Sequence, residues 1–151
     1  MQLNSRKINL FTLFKLPSVY FCGVRVKSIS ETACTTTVKH RWINQNPFKS
    51  LFWAVQGMAA ELSTGALVMA YIQETGKPIS MLVAHNKAEF TKKARGLITF
   101  TSTDGLAIKE TIQKAMETGE GQTCWMASEG IDAQGDTVSR FWFEWTVKPK
   151  G

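Results

Sequence analysis

Residue types and motifs that carry several common chemistries are scarce or missing in this 151-residue sequence. Three cysteines, Cys22, Cys34 and Cys124, form no Cys-x-x-Cys pair, which argues against a disulfide framework or a zinc site and predicts a reducing, cytoplasmic compartment. Two histidines, His40 and His85, stand alone in strand-like segments. The sequence has no His-x-x-x-His, no Gly-x-Ser-x-Gly and no glycine-rich phosphate loop. Metalloenzyme, serine hydrolase and nucleotide triphosphatase functions therefore lack support, and we expect no metal site.

Long apolar runs are also missing, since none approaches the ~18 residues of a membrane span. Hydrophobic residues make up 44% and charged residues 20% of the chain, which is typical of a globular domain. We expect one domain over residues 1–151, with a helical extension over residues 1–19. The net charge of +6 favours an anionic partner without choosing among a phosphorylated cofactor, nucleic acid and a membrane surface. The aromatic residues alternate in strand register, as in a core, so we expect no nucleic-acid partner.

The N-terminal region begins with the basic pair Arg6 and Lys7, followed by an apolar but interrupted segment. Polar residues and Pro17 break this segment, and no small-x-small cleavage site follows, so it does not fit a signal peptide. We predict a short amphipathic helix over residues 4–15 that lies on the body of the domain. Binding of this helix to a membrane surface is the alternative.

The rest of the chain alternates between strand-like and helical patterns. Two strands joined by a tight turn are predicted between Tyr20 and Ile43, and a long helix is predicted to stop at Gly76. Further strands are predicted over Ile79 to Phe90, Leu97 to Ser102, and residues 121–132 and 137–147, with a helix over Leu106 to Thr118. This order predicts an α+β fold in which a largely antiparallel sheet wraps one long helix.

The central helix is predicted from the segment between Asn46 and Gly65. Asn46 followed by Pro47 is one possible start, and Ser50 is another possible cap. Apolar residues recur at helical spacing and form a stripe of Phe48, Leu51, Phe52, Val55, Met58, Ala59 and Leu62.

A second face of this helix aligns Ser50, Ala54, Gly57 and Glu61. One interpretation is close packing on a sheet with Glu61 in solvent. The other is a site where a ligand or another backbone lies beside a carboxylate. No Lys or Arg occurs between Gly57 and Gly65, so burial would raise the pKa of Glu61, which suits a general base. We therefore predict that Glu61 lies in or beside a pocket at a subunit interface.

Three cations, Lys92, Lys93 and Arg95, cluster between two predicted strands. They form either a solvated loop or a phosphate-binding site.

Three segments and the order of elements resemble the hot-dog fold of the thioesterase-like superfamily. The segments are NPFKSLFWAVQGMAAELSTG, EFTKKARGLITF and TGEGQTCWMASEGIDAQGDTVSRFWFEW, and the resemblance covers about Val24 to Lys148. It points to a little-characterised branch related to PaaI-like (phenylacetate-pathway) acyl-CoA thioesterases. Such relatives carry an Asn before the helix and an Ala-Glu or Ala-Asp pair within it, which Asn46 and Ala60-Glu61 match.

The sequence departs from the PaaI-like pattern at one functional position. Those enzymes carry His-Gly-Gly, and the last glycine donates a backbone N–H to the thioester carbonyl. Here the position reads Phe52-Trp53-Ala54, so the histidine is missing and Trp53 adds bulk, while the Ala54 N–H keeps the spacing.

The resemblance implies a homodimer, with pairing into tetramers left open, and a coenzyme A thioester as substrate without a separate cofactor. The carbonyl oxygen would face the Ala54 N–H, and Glu61 would activate water or attack directly. Asn46 or Gln56 would orient that water or hold the carboxylate. The other implied substrate contacts are Ser50, Trp53, Gln56 and Gly57, with Lys92, Lys93 and Arg95 at the phosphates. The alternative is a non-catalytic hot-dog dimer that binds an acyl-CoA or an aromatic or acyl ligand, with Trp53 closing the usual site.

Overall fold

A six-stranded antiparallel sheet and one long helix form the framework in the computed structural model, which describes residues 3–151. The strand order is β1-β2-β4-β5-β6-β3. In chain order the elements are α1 (Ser5–Lys15), α2 (Pro17–Phe21), β1 (Arg25–Ile29), β2 (Cys34–Lys39), a 3-10 helix (Trp42–Asn44), α3 (Trp53–Thr75), β3 (Ile79–Phe90), β4 (Leu97–Ser102), α4 (Gly105–Thr118), β5 (Gln122–Ile131) and β6 (Thr137–Pro149). The predicted α+β class and the bounds of β3 and β4 are confirmed.

Helix α3 is buried around most of its circumference, as expected of a helix surrounded by the sheet and by neighbouring helices. Its buried apolar residues are Val55, Ala59, Ala60, Leu62, Ala66, Leu67, Val68, Ala70 and Tyr71. It ends where predicted, at Gly76, which takes the left-handed conformation with φ 64° and donates its N–H to the Gln73 carbonyl.

Gly65 allows α3 to lie close to β6, whereas the position of Gly57 leaves room for an ordinary contact. The inner face of that strand carries Phe141, Phe143 and Trp145, all buried. A methyl group on Gly57 would lie 3.5 Å from the Phe141 ring, and one on Gly65 would lie 3.1 Å from the Trp145 ring. The small face of the helix is therefore packed on the sheet, as one of the two interpretations expected, but that interpretation also placed Glu61 in solvent, whereas burial desolvates its carboxyl.

The N-terminal helix α1 lies on the body of the domain, as predicted. Asn4 caps it by accepting the Lys7 N–H at 3.0 Å. Asn9 donates its side-chain amide to the Val26 carbonyl at 3.0 Å and accepts the Val26 N–H at 2.8 Å. None of the helices in residues 3–151 is long and apolar enough to cross a membrane.

Helix α2 and the 3-10 helix were not predicted. The region assigned to two strands between Tyr20 and Ile43 is partly helical at both ends, because Tyr20 lies in α2 and the 3-10 helix begins at Trp42. Pro17 at the start of α2 supplies a favourable φ where no N–H donor is required.

The predicted helix starts at Asn46 and Ser50 are both wrong. The Asn46 side chain does act as a cap, but it caps a turn of its own loop. Its Oδ1 accepts the N–H groups of Phe48 at 2.9 Å and Ser50 at 3.3 Å. Lys49 completes the turn with a positive φ of 58°.

Helix α3 begins instead at Trp53, because the preceding residues are held by distant backbone groups. The Leu51 N–H donates to the Ala94 carbonyl at 2.8 Å, and the Phe52 N–H donates to the Asn44 carbonyl at 3.0 Å. Ser50 therefore does not lie in the helical line with Ala54, Gly57 and Glu61, and Phe48 and Leu51 do not belong to its apolar stripe.

The two glycines of α3 give a matched test of this packing. Alanine at either position gains about 1 kcal/mol of helix propensity. At Gly65 the new methyl also crowds Trp145, which is buried and whose indole N–H is held by Thr64 at 2.9 Å. We expect the free energy of unfolding of Gly65→Ala to be about 1–2 kcal/mol lower than that of Gly57→Ala. Urea unfolding of the two variants measures the difference, and equal stabilities would contradict this packing.

Candidate functional site

A groove of about 580 Å³ lies at the N-terminus of α3, between that helix end and the loop after β3. It brings together six of the predicted site residues, namely Asn46, Ser50, Trp53, Gln56, Lys92 and Lys93. Glu61, Ala54, Gly57 and Arg95 do not line it. The groove is thus the place where most of the predicted substrate contacts meet, but the predicted base is outside it.

The helix end that borders the groove offers free backbone donors. Phe52, at the N-cap, provides no side-chain hydrogen bond to the helix. Its carbonyl accepts the N–H groups of Val55 at 3.0 Å and Gln56 at 3.2 Å. The N–H groups of Trp53 and Ala54 precede these and have no acceptor within the helix. Together with the positive end of the helix dipole, they favour a partial negative charge at this end, such as a carbonyl oxygen.

Aromatic side chains form much of the groove wall. Phe48, Phe52, Trp53 and Phe90 all line it and all remain exposed to a large extent. Trp53 is 58% exposed and packs edge to face on Phe52, with ring centroids 6.0 Å apart. Such an exposed group of aromatic rings indicates a surface that contacts a ligand or a partner.

Asn46 and Gln56 hold the groove together and do not reach Glu61. Asn46 donates to the Ser50 hydroxyl at 2.9 Å. Gln56 is buried and accepts the Ser139 hydroxyl of β6 at 2.7 Å, while its amide donates to the Leu51 carbonyl at 3.4 Å. Local sequence patterns do not predict the Gln56–Ser139 pair, because the two residues are 83 positions apart in the chain.

Glu61 lies farther along α3, partly buried and close to Trp145. Its Oε1 is 3.4 Å from the position that a methyl group on Gly65 would take, and that position is 3.1 Å from the Trp145 ring. Burial raises the pKa of the Glu61 carboxyl to about 7 by desolvating its charged form. Among the described residues, no ion pair offsets this effect.

The distance between Glu61 and the free helix end constrains the chemistry. Seven residues separate Ala54 from Glu61, so a rise of 1.5 Å per residue places them roughly 10 Å apart along the axis. A row of rings connects the two regions, from Phe90 at the groove to Phe141 at 5.6 Å and then to Phe143 at 6.0 Å. One chain therefore does not present the Ala54 N–H and the Glu61 carboxylate to the same carbonyl group.

The predicted basic cluster is divided into residues with different surroundings. The Lys92 ammonium lies 2.7 Å from both Asp132 and Asp136. Its positive charge is therefore offset by two carboxylates and adds no net positive charge to the groove. Its hydrogen bond to Asp132 lowers the pKa of that carboxyl. Lys93 lines the groove, with its ammonium 5.7 Å from the centroid of the Phe48 ring. Arg95 lies outside the groove and donates to the Lys49 carbonyl at 3.2 Å.

Neither a metal centre nor a reactive Cys34 thiol is found among the described residues. Within residues 3–151, no group of three or more His, Cys, Asp and Glu side chains is placed to hold a metal ion. Cys34 is buried, which raises the pKa of its thiol to about 12 and keeps it protonated at neutral pH. The Glu61 carboxyl and the groove are consequently the features to which chemistry can be assigned.

Solved structures show the class of this fold, which is the hot-dog fold of thioesterases. A protein of unknown function from Pseudomonas aeruginosa, named as a probable thioesterase, matches with a TM-score of 0.84 and 20% identity over 99% of both chains. A protein of unknown function from Chlorobaculum tepidum matches with a TM-score of 0.82 and 15% identity over 97% of this chain and 94% of the other. A thioesterase from Haemophilus influenzae matches with a TM-score of 0.72 and 12% identity over 99% of this chain and 93% of the other. At these identities the likeness establishes the fold.

The chain belongs to the family described as a domain of unknown function, DUF4442, whose model matches residues 5–147. A comparison with curated proteins found no match. The predicted resemblance to the thioesterase-like superfamily is thus confirmed at the level of fold.

The pKa of Glu61 predicts a pH-dependent stability. The folded chain holds the Glu61 proton up to a pH of about 7, whereas the unfolded chain releases it near 4.5, so the free energy of unfolding should fall as pH rises through this window. The shift corresponds to an upper bound on the order of 3 kcal/mol. We expect Glu61→Gln to remove roughly 1–3 kcal/mol of this pH dependence between pH 5 and pH 8.

Urea unfolding at the two pH values measures this effect. Glu117→Gln, at an exposed position of α4, is the matched control and should keep the wild-type pH dependence. If the free energy of unfolding of Glu61→Gln changed with pH as much as that of the native protein, the Glu61 carboxyl would be solvated in the folded protein.

Proposed function

We propose that this protein is a thioester hydrolase that acts on acyl-CoA, with Glu61 as the general base or the nucleophile. The observation that carries the proposal is the Glu61 carboxyl itself, which is desolvated beside Gly65, has no ion pair among the described residues and has a pKa of about 7. A carboxyl with this pKa is suited to take a proton from water near neutral pH, or to attack a carbonyl carbon when ionised. Thioesterases with the same fold support this chemistry by analogy.

The proposal includes a homodimer, because the Ala54 N–H and Glu61 of one chain are roughly 10 Å apart along the helix. A two-fold axis relating two antiparallel copies of α3 would bring Glu61 of one copy to the Ala54 end of the other and create two equivalent sites. Within residues 3–151, strand β3 lies at the end of the sheet and pairs only with β6, which leaves its second edge for the other copy.

The reaction in this dimer follows from the charges of its groups. The thioester oxygen would accept the Ala54 N–H at the positive helix end, which stabilises the negative charge that develops there. Glu61 would take a proton from water as the water oxygen bonds to the carbonyl carbon. The C–S bond then breaks, the proton passes to the departing sulfur, and a carboxylic acid and a free thiol are the products.

The groove supplies the contacts for the rest of the substrate. Its aromatic wall of Phe48, Phe52, Trp53 and Phe90 suits an apolar acyl or pantetheine portion. Lys93 in the groove and Arg95 outside it are the cations left to meet the phosphates, because Lys92 is bound to two carboxylates.

A second candidate is a non-catalytic hot-dog dimer that binds an acyl-CoA or an aromatic or acyl ligand. The observation that favours it is Trp53, whose exposed indole stands at the helix end where a thioester would approach. The side chains of Asn46 and Gln56, which were predicted to orient water, are also held within the groove wall.

Hydrolysis of a panel of acyl-CoA thioesters tests the enzyme proposal. We expect turnover by the native protein, with a rate that rises with pH to a plateau above about 7, as the Glu61 carboxyl ionises. Glu61→Gln keeps the shape but cannot accept the proton, so the rate should fall by roughly 10²-fold or more. Ligand binding without turnover in the native protein would refute the enzyme proposal and support the non-catalytic binding function.

Charge reversal at the groove tests the phosphate contacts. We expect Lys93→Glu combined with Arg95→Glu to weaken acyl-CoA binding by about tenfold at low salt, and the difference to shrink at high salt because exposed charges are screened. Lys114→Glu combined with Lys150→Glu changes the net charge equally, at exposed positions away from the groove, and should bind normally. Isothermal titration calorimetry measures the acyl-CoA affinity of both double variants at low and at high salt. Equal affinities for the two double variants would show that the basic cluster is a solvated loop that does not bind the phosphates.

A further inference from the structure

The basic excess of this protein is concentrated in its first 30 residues. That segment contains five cations, Arg6, Lys7, Lys15, Arg25 and Lys27, and no acidic residue before Glu31. The other 121 residues carry 13 cations and 12 acids, so the N-terminal segment accounts for +5 of the net +6. This distribution makes the N-terminal surface attractive to an anionic partner.

Helix α1 adds a row of exposed apolar side chains to this charge. Leu10 is 59% exposed, Phe11 41% and Phe14 71%. Together they expose roughly 300 Å² of apolar area, which is the size of the largest apolar patch on a typical monomer, and such patches are often functional. Arg6, Leu10 and Phe14 follow each other at intervals of four residues, so a cation lies in line with the apolar row.

The opposite face of α1 fixes this orientation. Ile8 and Thr12 are buried, and the Asn9 side chain makes two hydrogen bonds to the backbone of Val26 in β1. The helix is therefore held on the sheet, and its apolar row cannot turn into the core.

We propose that α1 docks this protein on the surface of an anionic lipid bilayer. The helix lies in the plane of the surface, with Leu10, Phe11 and Phe14 at the boundary between headgroups and acyl chains. Arg6 and Lys15, both exposed, meet the lipid phosphates. Phe21, 63% exposed in α2, is the next exposed large apolar side chain along the chain.

The charge argues for a bilayer rather than a second copy of the chain. A two-fold contact through this face would set Arg6 and Lys15 against the same cations of the other copy, which opposes association. A bilayer offers a negative layer and an apolar layer in the order in which α1 presents its cations and its apolar tips.

Co-sedimentation with vesicles tests the proposal on the full chain. Phosphatidylcholine vesicles are compared with vesicles that also contain phosphatidylglycerol. We expect binding to the mixed vesicles at least tenfold stronger than to phosphatidylcholine alone, and a loss of that preference at high salt.

Two pairs of double variants separate the apolar and electrostatic contributions. Leu10→Ser with Phe14→Ser, and Arg6→Glu with Lys15→Glu, should each weaken binding to the mixed vesicles at least tenfold. Leu97→Ser with Leu106→Ser, and Lys114→Glu with Lys150→Glu, alter exposed positions elsewhere and should bind as the native chain does. Circular dichroism checks that the variants stay folded, as their exposed positions predict.

Three results would overturn the proposal. The first is no binding of the native chain to the mixed vesicles, and the second is equal weakening by the control variants. The third is a change of oligomeric state in sedimentation of Leu10→Ser with Phe14→Ser, which would assign the surface to a second copy. Acyl-CoA hydrolysis is measured separately, so a failure here leaves the enzyme proposal intact.

Discussion

The close approach of α3 to β6 is the packing on which the rest of this structure depends. Gly65 leaves room for the ring of Trp145, whose indole N–H donates to the Thr64 hydroxyl. Glu61 lies one turn before Gly65, and its carboxyl approaches the same packed position, where burial desolvates it. The raised pKa of Glu61 is thus a consequence of helix–sheet packing and not of a dedicated charged neighbour.

The groove depends on a second constraint, the late start of α3. Backbone hydrogen bonds from Leu51 to Ala94 and from Phe52 to Asn44 keep the chain extended up to Trp53. Because the helix begins later, its first N–H groups lie at the groove margin and its dipole points there.

Local sequence patterns predicted much of the fold. The strand-like patterns of β3 and β4 and the Gly-Lys-Pro sequence after α3 are local signals that span a few residues. The structure confirms the two strands and the end of the helix that they predicted. The start of α3 was mispredicted because Asn46 and Pro47 are equally suited to a helix cap and to a turn, and only the pairing with distant strands selects the turn. The same holds for Lys92, whose carboxylate partners Asp132 and Asp136 are 40 and 44 residues away.

The sequence by itself determined the periodicity of the elements, the small residues on one face of the central helix and the concentration of positive charge in the first 30 residues. These depend on residue type and short spacing, so they are readable without coordinates. Only the tertiary structure decided that Glu61 is desolvated, that Gln56 is bound to Ser139 and that the groove and Glu61 lie apart along one helix. Burial and pairing depend on which residues meet across 40 to 83 positions of the chain, and folding alone brings those residues together.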